Sequence, residues 1–75
     1  MNGADLTGFD LRNLDLSQAD LSDAKLARAD MRNANVFGAN LEGANLIDAN
    51  LENSNLADAN LKNVTFRFSE GMSDM

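Results

Sequence analysis

Seventy-five residues with a net charge of −6, no Cys and no His allow one domain, exclude disulfide staples and thiolate metal sites, and remove the commonest general base. The acidic balance argues against direct binding of nucleic acid or an anionic membrane, and suits a basic protein partner. A chain this short buries little in a conventional globular core, so its architecture must be idealised or oligomeric.

The opening stretch Met1-Asn2-Gly3 carries neither a basic nor an apolar leader, and no apolar run reaches the length of a membrane span. The expectation is a soluble, cytoplasmic protein. From Ala4 a strict five-residue register begins. Its central residue falls at Leu6, Leu11, Leu16, Leu21, Leu26, Met31, Val36, Leu41, Leu46, Leu51, Leu56, Leu61 and Phe66. Of eleven leucines only Leu14 lies outside that phase, so the spacing is not compositional accident. Two residues before the centre stands a second apolar residue in every repeat but one, Ala in most, with Phe9, Leu14 and Val64 among the others and Ser54 the exception. Between the two lies Asp or Asn, except at Lys25 and Thr65. Two residues after the centre stands Gly, Asn or Asp in ten of thirteen repeats.

A period of five precesses around an α-helix and leaves no apolar stripe. On extended backbone, residues two apart share a face, so Ala and the following Leu both point inward. The next inward pair begins three residues after the Leu. A turn must absorb the extra residue, and Gly, Asn and Asp are the residues turns favour. The pattern predicts a very short strand and a corner, repeated thirteen times.

Thirteen A-(D/N)-L-x-x repeats over about residues 4–68 resemble the pentapeptide-repeat family. The resemblance implies an all-β solenoid, a right-handed quadrilateral β-helix with four repeats per coil and about three coils. One domain spans residues 1–75, with a C-terminal tail at 69–75. Four repeats per coil place residues twenty apart in one column. The inner columns are then Leu6, Leu26, Leu46 and Phe66; Leu11, Met31 and Leu51; Leu16, Val36 and Leu56; and Leu21, Leu41 and Leu61.

In chain order, the first coil carries Asp5, Asp10, Asp15 and Asp20, one on each side. They form an acidic ring, a candidate surface for a basic partner. The bulky Phe9 and Leu14 are expected to plug this end. Asp10 stacks over Asp30, with Arg12 and Arg32 placed to relieve the repulsion. Further along, Asn35 over Asn55, Asn40 over Asn60, and Asn13, Asn33 and Asn53 form columns suited to corner bonds and amide ladders. Phe37 and Ile47 point outward on opposite sides. The last repeats turn bulky at Val64, Phe66 and Phe68. That end is either capped by the tail or a surface for homodimer formation.

No cofactor, metal or catalytic residue is expected, because the outward carboxylates do not converge and no calcium or phosphate loop is present. Three functions are compatible with these features. One is a protein-interaction or structural scaffold module whose protein partner the sequence does not name. The second, implied by the resemblance, is an acidic DNA mimic that binds a type II topoisomerase such as gyrase as a C-terminally paired dimer. The third is an idealised repeat or structural spacer.

Overall fold

A computed structural model describes residues 2–66. Its organising feature is a set of isolated parallel bridges between residues twenty apart, beginning Asp5–Lys25, Asp10–Asp30, Asp15–Asn35 and Asp20–Asn40 and ending at Asn45–Thr65. Each bridge residue is the one between the inward Ala and the inward centre. Its backbone pairs along the stack while its side chain faces out.

The expected strands shrink to single bridge residues. The reason lies in the corner that follows. Each centre's carbonyl accepts a hydrogen bond from the N–H three residues on, as in Phe9 to Leu6 at 3.0 Å and Ala24 to Leu21 at 3.1 Å. The residue two after each centre has positive φ, from Gly8 at 73° to Asn63 at 61°. Positive φ at the third residue alone defines a type II turn, which Gly and Asn accept most easily. Gln18 (φ 62°) and Arg28 (φ 59°) adopt it too, although neither has the short side chain that eases this conformation. With a turn on every side, no two successive residues can pair.

The stacking is dense in backbone hydrogen bonds. Leu26 N–H donates to the Asn45 carbonyl at 2.8 Å, Arg28 N–H to Ile47 at 2.9 Å, and Lys25 N–H to Ala4 at 2.8 Å. This triple repeats down the chain.

The core sits in the middle segment, residues 21–46. Leu21, Leu26, Met31, Val36 and Leu41 are fully buried, and so are the alanines at 24, 29, 39 and 44. Each large side chain withdrawn from water contributes about 1.5–3 kcal/mol. The small alanines let facing sides approach. Ser54 takes an alanine position and satisfies its hydroxyl on the Leu51 carbonyl at 2.7 Å. Phe9 and Leu14 do not bury themselves as an end plug. They remain 52% and 44% exposed, because no described segment lies beyond them.

Candidate functional site

The sides of the stack are built by one device. Every Asp or Asn preceding a centre accepts, through Oδ1, the backbone N–H two residues on. Examples are Thr7 to Asp5 at 3.2 Å, Phe37 to Asn35 at 3.1 Å, and Lys62 to Asn60 at 3.0 Å. This Asx turn fixes the entry to the corner and explains the residue choice. Lys25 carries no acceptor, so its repeat lacks the bond. Of the expected amide ladders, the one recorded runs from Asn60 Nδ2 to Asn40 Oδ1 at 3.2 Å.

The four aspartates of the candidate acidic ring each bridge to a different partner twenty residues on. The structure therefore does not bring them together. Each carboxylate is engaged by its own neighbour. Asp15 accepts the Ser17 hydroxyl at 2.6 Å and its N–H at 3.1 Å, and Asp20 does the same with Ser22 at 2.6 and 3.1 Å. These bonds hold both carboxyl groups below the usual carboxylate range, hydroxyl first and backbone second. Thr7, through its side chain and then its backbone, lowers Asp5, with a further contribution from Lys25.

Asp10 differs. The Arg12 guanidinium grips it with Nε to Oδ1 and Nη2 to Oδ2, both at 2.9 Å. Together with the Arg12 N–H this pulls its pKa down to about 2. Arg32 grips Asp30 in the same way, at 2.9 and 2.7 Å. Arg12 also lies 3.8 Å from Asp30, which links the two pairs. The stacked acids are thus neutralised, as the spacing of the arginines implied. At neutral pH all four ring aspartates are anionic, and they point outward in separate columns. No group of three acidic residues among the described residues is close enough to hold a metal ion.

At the other end, Val64 packs half-buried against the core, while Phe66 is 43% exposed beneath Leu46. Phe68 lies outside the described residues. Sequence reasoning missed Leu61, which is 36% exposed although it sits in the same column as the fully buried Leu21 and Leu41. Among the described residues, four of the five exposed large apolar side chains, Phe9, Leu14, Leu61 and Phe66, belong to the first and last segments. Phe37, 38% exposed, is the fifth of these and lies on a side, and Ile47 is half-buried.

A family model described as pentapeptide repeats (8 copies) matches residues 1–36 and 37–68. Among solved structures, the chain is similar to alr5209, a pentapeptide repeat protein from Nostoc Pcc 7120, at 35% identity and a TM-score of 0.56, over 91% of this chain and 64% of that one. It is also similar to the pentapeptide repeat protein Rfr23 from the cyanobacterium Cyanothece 51142, at 33% identity and a TM-score of 0.42, over 89% of this chain and 59% of that one. The chain therefore spans about three fifths of each of these proteins. No curated protein matches it.

Proposed function

The chain belongs to the pentapeptide-repeat family, a family of right-handed β-helices that serve as non-catalytic modules, and from that premise we propose that it is a contact module whose ends, rather than its sides, meet other proteins. Its architecture is a quadrilateral stack of about three coils with four repeats each, in keeping with bridges twenty residues apart. The observation that carries the reading is the distribution of unused surface. The sides spend their side-chain acceptors on their own corners, whereas apolar exposure concentrates at Phe9, Leu14, Leu61 and Phe66. Such rimmed apolar surface is where proteins associate.

Photo-crosslinking in cells tests this. A benzophenone side chain at Phe9 should capture a protein, and the same group at Phe37 should not. Capture from Phe37 alone would overturn the reading, and capture from neither would favour a bare spacer.

The DNA-mimic reading has one observation in its favour, four ionised aspartates on four sides. Yet they occupy a single level, and the corresponding positions of the last segment, Asn45, Asn50, Asn55 and Asn60, are neutral. A phosphate backbone spreads its charge along its length. A supercoiling assay with gyrase decides the point, since inhibition at micromolar protein would restore the mimic.

A further inference from the structure

Of the eleven asparagines in the chain, Asn2 is the one that precedes a glycine. The corner pattern brings the two together. Gly3 holds the left-handed position of its turn at φ 71°, as Gly8, Gly38 and Gly43 do in theirs, but those three follow Thr7, Phe37 and Glu42. Glycine accepts this backbone without steric cost, and it also leaves its own peptide nitrogen unshielded by a side chain. A Cβ placed on Gly3 would meet nothing within 4 Å, whereas at Gly38 and Gly43 the same space is filled by Gln18 and Asp23. The other asparagines are each followed by a residue with a side chain. Those at the outward repeat positions are also held locally, as Asn35 is by the Phe37 N–H at 3.1 Å.

Two hydrogen bonds hold Asn2 and Gly3, and both end on Ser22. The Gly3 N–H donates to the Ser22 carbonyl at 2.8 Å, and Asn2 Nδ2 donates to Ser22 Oγ at 2.8 Å. The first bond occupies a nitrogen that lies one peptide link from the Asn2 carboxamide. The second restrains the carboxamide itself. Asn2 and Gly3 are both exposed. The anchors of the stack begin behind them, with Lys25 N–H to the Ala4 carbonyl at 2.8 Å and Leu6 N–H to the Lys25 carbonyl at 2.7 Å. Lifting the first turn off Ser22 therefore breaks two exposed bonds and leaves the stack in place. Local openings of this kind lie at the low-cost end of the range.

We propose that Asn2-Gly3 is a self-modifying site, latent while its turn is docked on Ser22 and converted when the turn lifts. The freed Gly3 nitrogen gives its proton to hydroxide and bonds to Asn2 Cγ. The Cγ–Nδ2 bond breaks and ammonia leaves, which closes a five-membered succinimide. Water then opens that ring at either carbonyl, to aspartate or to isoaspartate. Either product adds a carboxylate to the segment that already holds Asp5, Asp10, Asp15, Asp20 and Asp23. As a carboxylate it has no amide proton to donate to Ser22 Oγ. Isoaspartate also inserts a methylene into the main chain before Gly3, so the Gly3 donor no longer meets the Ser22 carbonyl and the turn stays lifted.

Ageing of the full chain at neutral and at mildly alkaline pH tests this, with intact mass followed by peptide mapping that separates aspartate from isoaspartate. The parent should gain the mass of one amide-to-acid change, at residue 2 before any other asparagine, faster as pH rises and with isoaspartate among the products. Ser22→Ala removes the Oγ acceptor but keeps the carbonyl, and should speed conversion about fivefold, the shift in opening that one hydrogen bond supplies. Asn2→Gln should stay intact at this position, because its ring would need six members. Unfolding the parent in urea, an arm that needs no variant to fold, should speed conversion more than Ser22→Ala does. Equal rates in the folded and unfolded parent, or an unchanged rate in Ser22→Ala, would overturn the guarding role of Ser22. Aspartate without isoaspartate, earlier conversion at another asparagine, or a folded parent that stays intact while the unfolded chain converts fully would overturn the site itself.

Discussion

The Gln18 side chain occupies the space that residue 38 would need for a Cβ: such an atom on Gly38 would lie 2.5 Å from Gln18 Nε2 and 2.9 Å from Cδ. The two residues are stacked neighbours at the same corner. Gly38 also has φ +67°, so a side chain there meets both a neighbour and an unfavourable backbone. The neighbour is the free end of a flexible chain and can swing away. Gly38→Ala should therefore cost about 1 kcal/mol, mostly from φ. Most of that cost should survive when Gln18 is also changed to Ala, as measured by denaturant unfolding of the double-mutant cycle.

Arg28 and Gln18 hold left-handed backbone that the other described corners assign to Gly, Asn or Asp. Arg28→Asn should raise stability by about 0.5–1 kcal/mol. An unchanged or lowered midpoint in urea would show that the arginine side chain contributes more than its backbone costs.

The repeat centred on Leu26 lacks its Asx bond because Lys25 cannot accept. Lys25→Asn should supply an acceptor to the Ala27 N–H and stabilise by about 1 kcal/mol. The reverse change, Asn45→Ala, removes the 3.0 Å bond from Ile47 N–H and should cost about as much. Thermal melts of both variants check the pair.

Much of this was legible in the sequence. The phase of the centres set which residues face inward, and the Gly, Asn and Asp positions marked the corners. Bridges at twenty residues match the columns drawn from the family pattern. What did not show was how the outward Asx residues divide their bonding. Their Oδ1 atoms each accept a backbone N–H two residues away, and Asn40 Oδ1 accepts both that bond, from Glu42, and the amide of Asn60. Nor did composition show that Phe9 and Leu14 stay exposed. Bulk alone does not bury a side chain; a covering segment must exist.

Buried position, rather than residue type, should set the cost of core truncation. Leu41 and Leu61 share a column, but the first is fully buried and the second 36% exposed. Leu41→Ala should cost about 3 kcal/mol, and Leu61→Ala about 1 kcal/mol. Equal losses in urea titrations would mean that the last segment is covered in solution.

Stability should fall in acid through the outward aspartates. Asp10 is lowered from 3.8 to about 2, so its folded form releases the proton more readily than its unfolded form. Its contribution is complete above the unfolded value and is lost as pH falls through the folded one. The melting temperature should therefore drop between pH 4 and pH 2. Asp10→Asn, which keeps the corner acceptor but cannot titrate, should show a smaller drop. An identical profile in the variant would place the acid sensitivity elsewhere.

The twenty-residue span of the bridges gives the chain a grammar for changes of length. A deletion of one residue turns every later leucine toward water. A deletion of five keeps each leucine inward but shifts all later residues by one repeat within the twenty-residue register. A deletion of twenty restores every column and only shortens the rod. In the gene, slips of fifteen bases are thus survivable and slips of sixty nearly silent. A protein of this kind can lengthen or contract by copying errors that would destroy an ordinary core.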